Sequence, residues 1–232
     1  MVGGAFALHE YCGIWRNTKD LDLILEPAFV PHALKQLNAV GYTTYIEDPI
    51  WLAKAYRGNY YVDLITGLGN GLLIADPSWL QNSVPYELFG IPCRVMGAEE
   101  WMASKLFVSR RERFDGADIA HLLRARGDHL NWQRLESLLS GHWELLLWAL
   151  VFFAYVYPAY KSAVPQEVWN RLLNRFQSQL PENNGKFRGT LIDPNMFAID
   201  VKEWGEHDAF SEACLKHSQL LHLNPPEESS HA

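Results

Sequence analysis

Apolar positions follow two regimes along the chain, and the change comes near Val95. Before it, short runs alternate at the two-residue period of strands. "LDLILEP" (Leu21–Pro27) is one such run, closed by its proline. "IWLAKAY" and "YYVDLIT" flank Gly58-Asn59, which predicts a β-hairpin. "ELFGIPCRVM" (Glu87–Met96) predicts a further strand pair or one bent strand. Between these lie helical patterns. "AFALHEYC" places Ala5, Leu8 and Cys12 on one face, and "PHALKQLNAVG" has Pro31 near its start and Gly41 at its stop. Gly67–Gly71 is a glycine-rich loop.

From Glu99 the period becomes helical, with Trp101, Lys105 and Val108 on one side. Asp115 stands where it can cap "GADIAHLLRA", which Gly127 ends. Residues 131–180 read as helical throughout, broken at Gly141, Pro158 and Pro165. Val168, Leu172 and Phe176 fall at core spacing. Residues 181–185 form a linker, and 188–205 an ordered appendage rich in aromatics. The expected organisation is α+β: a mixed sheet flanked by helices over 1–97, a helical bundle over 98–223 and a disordered tail over 224–232.

Composition sharpens this. With 48% hydrophobic and 13% aromatic residues in 232, the chain can bury a sizeable core. A net charge of −7 gives no basic field, so avid non-specific binding to nucleic acid is not expected, although a local basic patch is compatible with it. Cys12, Cys93 and Cys214 lack metal-ligand spacing, and their odd number suits a reducing cytosol. No signal peptide is expected. The longest apolar run, Leu145–Pro158, is too short and aromatic for a membrane span and predicts a buried helix.

Asp20 and Asp22, two apart on a strand, project to one side while Leu21 and Leu23 face the other. Two carboxylates so close repel, and one takes up a proton unless a cation lies between them. Hard oxygen ligands with no cysteine nearby point to Mg²⁺, or Mn²⁺ in its place. Asp63 is a third acid in an apolar strand, where a lone charge is expensive. Three strand-borne carboxylates make a two-metal phosphoryl-transfer site a concrete reading. Gly3-Gly4 opens a helix whose amides can receive a phosphate. Arg16, Thr18 and Lys19 put donors next to the acids. A solvated strand end is the plain alternative for an isolated D-x-D. Metal-dependent glycosyltransferases and dehalogenase-type phosphatases share that pattern too, but here the strand follows the acids and no Thr or Val completes the phosphatase motif.

Taken together, Gly3-Gly4, a short helix, Arg16-x-Thr18-x-Asp20-x-Asp22 and Asp63 within "VDL" resemble the nucleotidyltransferase superfamily of DNA polymerase beta type. The closer likeness is to its small bacterial members, the minimal nucleotidyltransferases and AbiEii-like toxins, over residues 2 to about 123. The resemblance implies a cytoplasmic, Mg²⁺-dependent transfer of a nucleotide monophosphate from an NTP to an acceptor hydroxyl, within a toxin–antitoxin or defence pair. It implies that Asp20 and Asp22 ligand both metal ions, and that Asp63 ligands one and acts as base. Gly3 and Gly4 would hold the triphosphate, with Arg16, Thr18, Lys19 and Lys105 on the nucleotide. The acceptor is left open among protein, tRNA and small molecule, and an oligomer is compatible with the chain.

"EEWMASKLFVSRRERFDGADIAHLL" is similar to the Lys…Arg…Asp-x-x-Asp helix pair of those members. On that likeness Lys105 reaches toward phosphates, while Asp115 and Asp118 hold Arg113 or Arg111. Read from the residues alone, Lys105 also suits a snorkelling lysine and Asp115 an N-cap. His121 reads as a core-edge histidine and His129 as a loop residue, while Arg188, beside Gly189, reads as part of a plain loop with a phosphate contact as the alternative. The chain departs from the pattern in two places. Only Met1 and Val2 precede Gly3, so the family's leading strand is missing or the reading frame extends upstream, and Gly4 replaces a serine. A catalytically silent nucleotide-binding or scaffold protein of the same fold is the second class these departures leave open.

Overall fold

In the computed structural model, which describes residues 1–139, 141–179 and 185–223, the alternating runs become a mixed four-stranded sheet. Its strands are β1 (Asp20–Ile24), β2 (Thr43–Asp48), β3 (Leu52–Arg57) and β4 (Tyr60–Ile65), in spatial order β1-β4-β3-β2. β3 and β4 form the expected hairpin, with Gly58 at φ 63° supplying the left-handed turn residue. β1 lies parallel to β4, and β2 antiparallel to β3. β5 (Val84–Leu88) and β6 (Ile91–Val95) make a second hairpin.

The expected gap at the leading strand is filled by a two-residue rung. Val2 bridges Leu23 of β1 on one side and Val95 of β6 on the other. Val2 N–H donates to the Arg94 carbonyl (2.7 Å), and the Val2 carbonyl accepts from Met96 N–H (2.9 Å). Met1 accepts from Ile24 N–H at 2.7 Å. A ladder needs paired amides rather than length, so Met1 and Val2 suffice to join the second hairpin to the four-stranded sheet.

The two sheet faces differ sharply. On one, Leu21, Leu23, Ala53, Ala55, Val62 and Leu64 pack beneath helix α2 (Val30–Ala39) through Val30, Ala33, Leu34 and Leu37. Pro31 sits in the first turn of α2, where its missing N–H is harmless. The other face carries Asp20, Asp22, Lys54 and Asp63, which alternate with those apolar residues along the same strands. Helix α1 (Gly4–Cys12) closes against the β1 edge. It buries Phe6, Ala7, Leu8 and Tyr11, a face rotated from the expected Ala5, Leu8 and Cys12, because the Tyr11 hydroxyl donates to the Met96 carbonyl at 2.6 Å.

A short helix α3 (Pro77–Asn82), capped by Asp76, leads into the helical half. There α4 (Ala98–Leu106), α5 (Gly116–Arg126), α6 (Trp132–Leu138), α7 (Trp143–Val156) and α8 (Gln166–Ser178) pack as a bundle. Breaks fall near Gly141 (φ 96°) and at Pro158 and Pro165, as the sequence predicts, with a 3₁₀ stretch over Pro158–Ala163. The appendage contains α9 (Ala198–Lys202), followed by α10 (Ala209–Leu223). One buried cluster runs from Ala7, Ile24 and Val95 through Trp101 and Leu122 to Leu172, so sheet half and helical half share a core. Fully buried Leu146, Leu150 and Phe153 of α7 each contribute about 1.5–3 kcal/mol.

Val168 and Leu172 are core, but Phe176 is not. It is 59% exposed, in the last turn of α8, which ends two residues later. α7 buries one side and leaves Trp148, Val151 and Tyr155 exposed. Among the described residues no helix is long and apolar enough to cross a membrane. The expected linker, apart from Gly185, and the tail from 224 lie outside the described residues.

Candidate functional site

Register puts the acids side by side. Asp22 is the direct partner of Asp63 across β1 and β4, and Asp63 is in turn the partner of Lys54 on β3. Asp20 lies one pleat along β1 on the same face. Lys54 Nζ sits 3.1 and 3.2 Å from the two Asp63 oxygens. Burial works against the Lys54 ammonium, yet the hydrogen bond and charge of Asp63 win and hold it above the ordinary lysine value. Among the described residues Asp22 has no such partner. Burial, then the charges of Asp63 and Asp20, pushes its carboxyl above the ordinary carboxylate range, and Lys105 and Arg113 only partly counter this.

Gly4 explains how Asp22 fits. A Cβ on Gly4 would overlap Asp22 Oδ2, and Gly4 has φ +52°, so close approach and backbone both demand glycine. Gly3 N–H is spent on the Asp22 carbonyl (2.9 Å), and a Cβ there would crowd Ile24 and Met96. The free first-turn amides of α1 therefore begin at Gly4. The indole N–H of Trp101, on α4, donates to the Gly4 carbonyl at 3.1 Å and fixes the loop from the far side.

The facing wall is basic and internally paired. Lys105 Nζ lies 2.9 Å from Asp115 Oδ2 and 2.8 Å from Asp118 Oδ2, above the Trp101 ring at 4.8 Å. Arg113 also binds Asp115, and Arg16 reaches Asp118 at 2.6 Å. Asp115 stands at the N-cap of α5, but its side chain makes no capping bond. Its carboxylate is committed to Arg113 and Lys105 instead. Burial acts to raise the Asp115 carboxyl, but the Arg113 hydrogen bond and the Lys105 charge outweigh it and hold it below the ordinary range.

Acids and basic wall enclose a cleft of about 320 Å³ with Trp51, Gly67, Gly69, Trp79 and Arg110 on its remaining sides. Of the residues singled out from sequence for the site, Gly4, Asp20, Asp22, Asp63, Lys105, Arg113 and Asp115 line it, and Gly3 lies behind Gly4 outside the lining. Arg16, Thr18 and Lys19 do not line it either. Arg16 is on Asp118, Thr18 Oγ1 closes a local turn by accepting from Asp20 N–H (3.2 Å), and Lys19 starts the β1–β4 pairing with its carbonyl. His129 lies in a turn, as expected, and is exposed, and His121 lies at the core edge against Tyr157. A larger cavity of about 560 Å³, beside α7, α8 and residues 185–192, holds the Arg188–Glu144 pair at 3.5 Å but no group of carboxylates.

Sequence reasoning passed over Lys54 and Arg110. Lys54 had a usable signal: with a two-residue turn at Gly58-Asn59, three steps back from Arg57 and three forward from Tyr60 pair Lys54 with Asp63. Arg110 had none, since it sits in the irregular link between α4 and α5.

Do these residues suit a divalent ion? Asp20 and Asp22 offer hard oxygens on one face, and Asp22 carries the mark of missing counter-charge. Asp63 is shared with Lys54, and among the described residues no three His, Cys, Asp or Glu side chains converge into a ready ligand set. The donor chemistry fits a hard cation, with Asp63 exchanging a lysine contact for it. Compared with known proteins, the chain matches no family model and no curated protein.

Proposed function

We propose that the protein is a Mg²⁺-dependent nucleotidyltransferase of the polymerase-beta type, moving a nucleotide monophosphate from an NTP to an acceptor hydroxyl. The observation that carries this reading is the pairing of Asp22 with Asp63, beside Asp20, in a cleft faced by Lys105. Asp20, Asp22 and Asp63 would hold the divalent ions, which neutralise phosphate charge and favour the acceptor alkoxide. The acceptor oxygen attacks the α-phosphorus, the bond to the bridging oxygen breaks, and pyrophosphate leaves with that electron pair. The acceptor proton passes to the Asp63 carboxylate. Lys105, held in place by Asp115 and Asp118, faces the leaving phosphates as a fixed charge. The uncapped start of α1 at Gly4 adds backbone N–H groups to the same wall.

The test offers four α-labelled NTPs and Mg²⁺ with total RNA, lysate protein and an aminoglycoside panel. Wild type should label one acceptor class, and the Asp20→Ala/Asp22→Ala double variant should not; equal label from both overturns the reading. The Lys54–Asp63 ion pair favours a second one, a nucleotide-binding protein without turnover. Metal-dependent NTP binding with no pyrophosphate release would establish that alternative.

A further inference from the structure

The acid-bearing face of the sheet does not end at the cleft. Across the strands, the row containing Asp22, Asp63 and Lys54 continues to Tyr45 on β2. The neighbouring row runs from Asp20 to Tyr61 on β4, then to Tyr56 on β3. Tyr45, Tyr56 and Tyr61 are 39%, 37% and 39% exposed, although each is a large ring that a covered sheet would bury. Their rings touch in sequence: centroids are 6.2 Å apart from Tyr45 to Tyr56 and 6.2 Å from Tyr56 to Tyr61. Lys54 Nζ lies 5.9 Å from the Tyr61 centroid, so one ammonium links the ring row to Asp63. α2 covers only the opposite face, and no tyrosine of this row lines the enclosed cleft.

The carboxylates thus stand between two unlike spaces. One is enclosed, basic and lined by tryptophans; the other is open and aromatic, with neighbouring ring planes inclined by 70° and 36°. On the nucleotidyltransferase reading, on which this inference rests, the enclosed space suits the NTP and the open one must take the acceptor. Exposed rings at strand spacing accept flat rings of any base identity. The lone cation on this row offers little to a phosphate backbone, and the acids beside it repel one. We propose that the Tyr45–Tyr56–Tyr61 row is the acceptor subsite, and that the acceptor is the terminal nucleoside of a single-stranded nucleic acid. The base stacks on the tyrosines and the terminal ribose hydroxyl is delivered to Asp63.

Binding through stacking rather than phosphate contacts implies a weak salt dependence, unlike that of a basic groove. The experiment measures anisotropy of a 5′-fluorescein single-stranded RNA with the full-length protein and Mg²⁺, alongside label transfer from the NTPs. Loss of stacking should weaken RNA affinity about tenfold or more in Tyr56→Ala/Tyr61→Ala. Tyr56→Phe/Tyr61→Phe, which keeps the rings, should stay within about twofold. Unaltered RNA affinity in the alanine variant, with its circular dichroism spectrum unchanged, overturns the subsite. So does an affinity that falls as steeply in the phenylalanine variant. Label appearing only on protein or aminoglycoside also overturns it while leaving nucleotidyl transfer intact. Tyrosine-dependent RNA binding with no label from any NTP supports the subsite and defeats the transfer reading instead.

Discussion

The cleft has two acidic clusters, and they are treated in opposite ways. Asp115 and Asp118 at the start of α5 are matched by Lys105, Arg113 and Arg16, two carboxylates against three cations. Among the described residues, Asp20, Asp22 and Asp63 on the strands have Lys54 alone, three against one. The consequences show in the carboxyls themselves: Asp115 is held below its ordinary range and Asp22 pushed above it. A half-buried acid left short of counter-charge destabilises a fold, whereas a paired one holds two helices in register. The paired cluster is therefore architecture, and the unpaired one is where a ligand can supply what the protein lacks. Glu100, fully buried and bound by Arg134, is paired too, but there burial outweighs the partner and keeps its carboxyl above the ordinary range.

The strongest way to break this contrast is Lys105→Met. It leaves buried Asp118 and partly buried Asp115 short of their shared ammonium and should cost about 3–5 kcal/mol. In calorimetry that is a fall in melting temperature of roughly 10 °C. A shift under a degree or two would show that the helix pair does not depend on this network.

Gly4→Ala comes next. The new Cβ overlaps Asp22 Oδ2 and φ is +52°, so overpacking and left-handed strain together cost about 2–4 kcal/mol. The loss should shrink in an Asp22→Ala background, because the overlapping atom is gone. A double-mutant cycle with no coupling would mean that the glycine serves only backbone conformation.

The smallest effect has the opposite sign. In metal-free buffer near neutral pH, Asp22→Asn should raise the melting temperature by about 2–4 °C, the shift that accompanies each 1 kcal/mol at this size. A folded carboxyl with a raised pKa binds its proton more tightly than the unfolded chain does. Asp22 therefore withdraws stability as pH rises from the ordinary carboxylate value through its raised folded one. Asp115 does the reverse: its stabilisation is present above the ordinary value and is lost as pH falls through its lowered one. Mg²⁺ should restore wild type and leave Asp22→Asn unmoved. Equal melting of the two proteins in EDTA would remove the contrast between the clusters.

Much of this could be read from local pattern. The β3–β4 hairpin followed from Gly58-Asn59, the breaks in the helical half from Gly141, Pro158 and Pro165, and the common face of Asp20 and Asp22 from strand alternation. Errors arose where local rules met tertiary demands. Asp115 has the position of a cap, but its carboxylate gains more from Lys105 and Arg113 than from a free amide. Phe176 has core spacing, but it falls in the last turn of α8 and stays exposed. Arg16 neighbours the aspartates in sequence and turns away to Asp118.

The sequence by itself determined the elements, the shared face of the first two acids and the mixed α+β class, since periodicity and turn residues act within a few positions. Only the tertiary structure decided that Val2 joins the two sheets, that Asp22 settles against the bare Cα of Gly4, and that Arg16 meets Asp118. Those outcomes depend on register, helix placement and the balance between burial and charge. Each couples residues far apart in the chain, so no local pattern contains it.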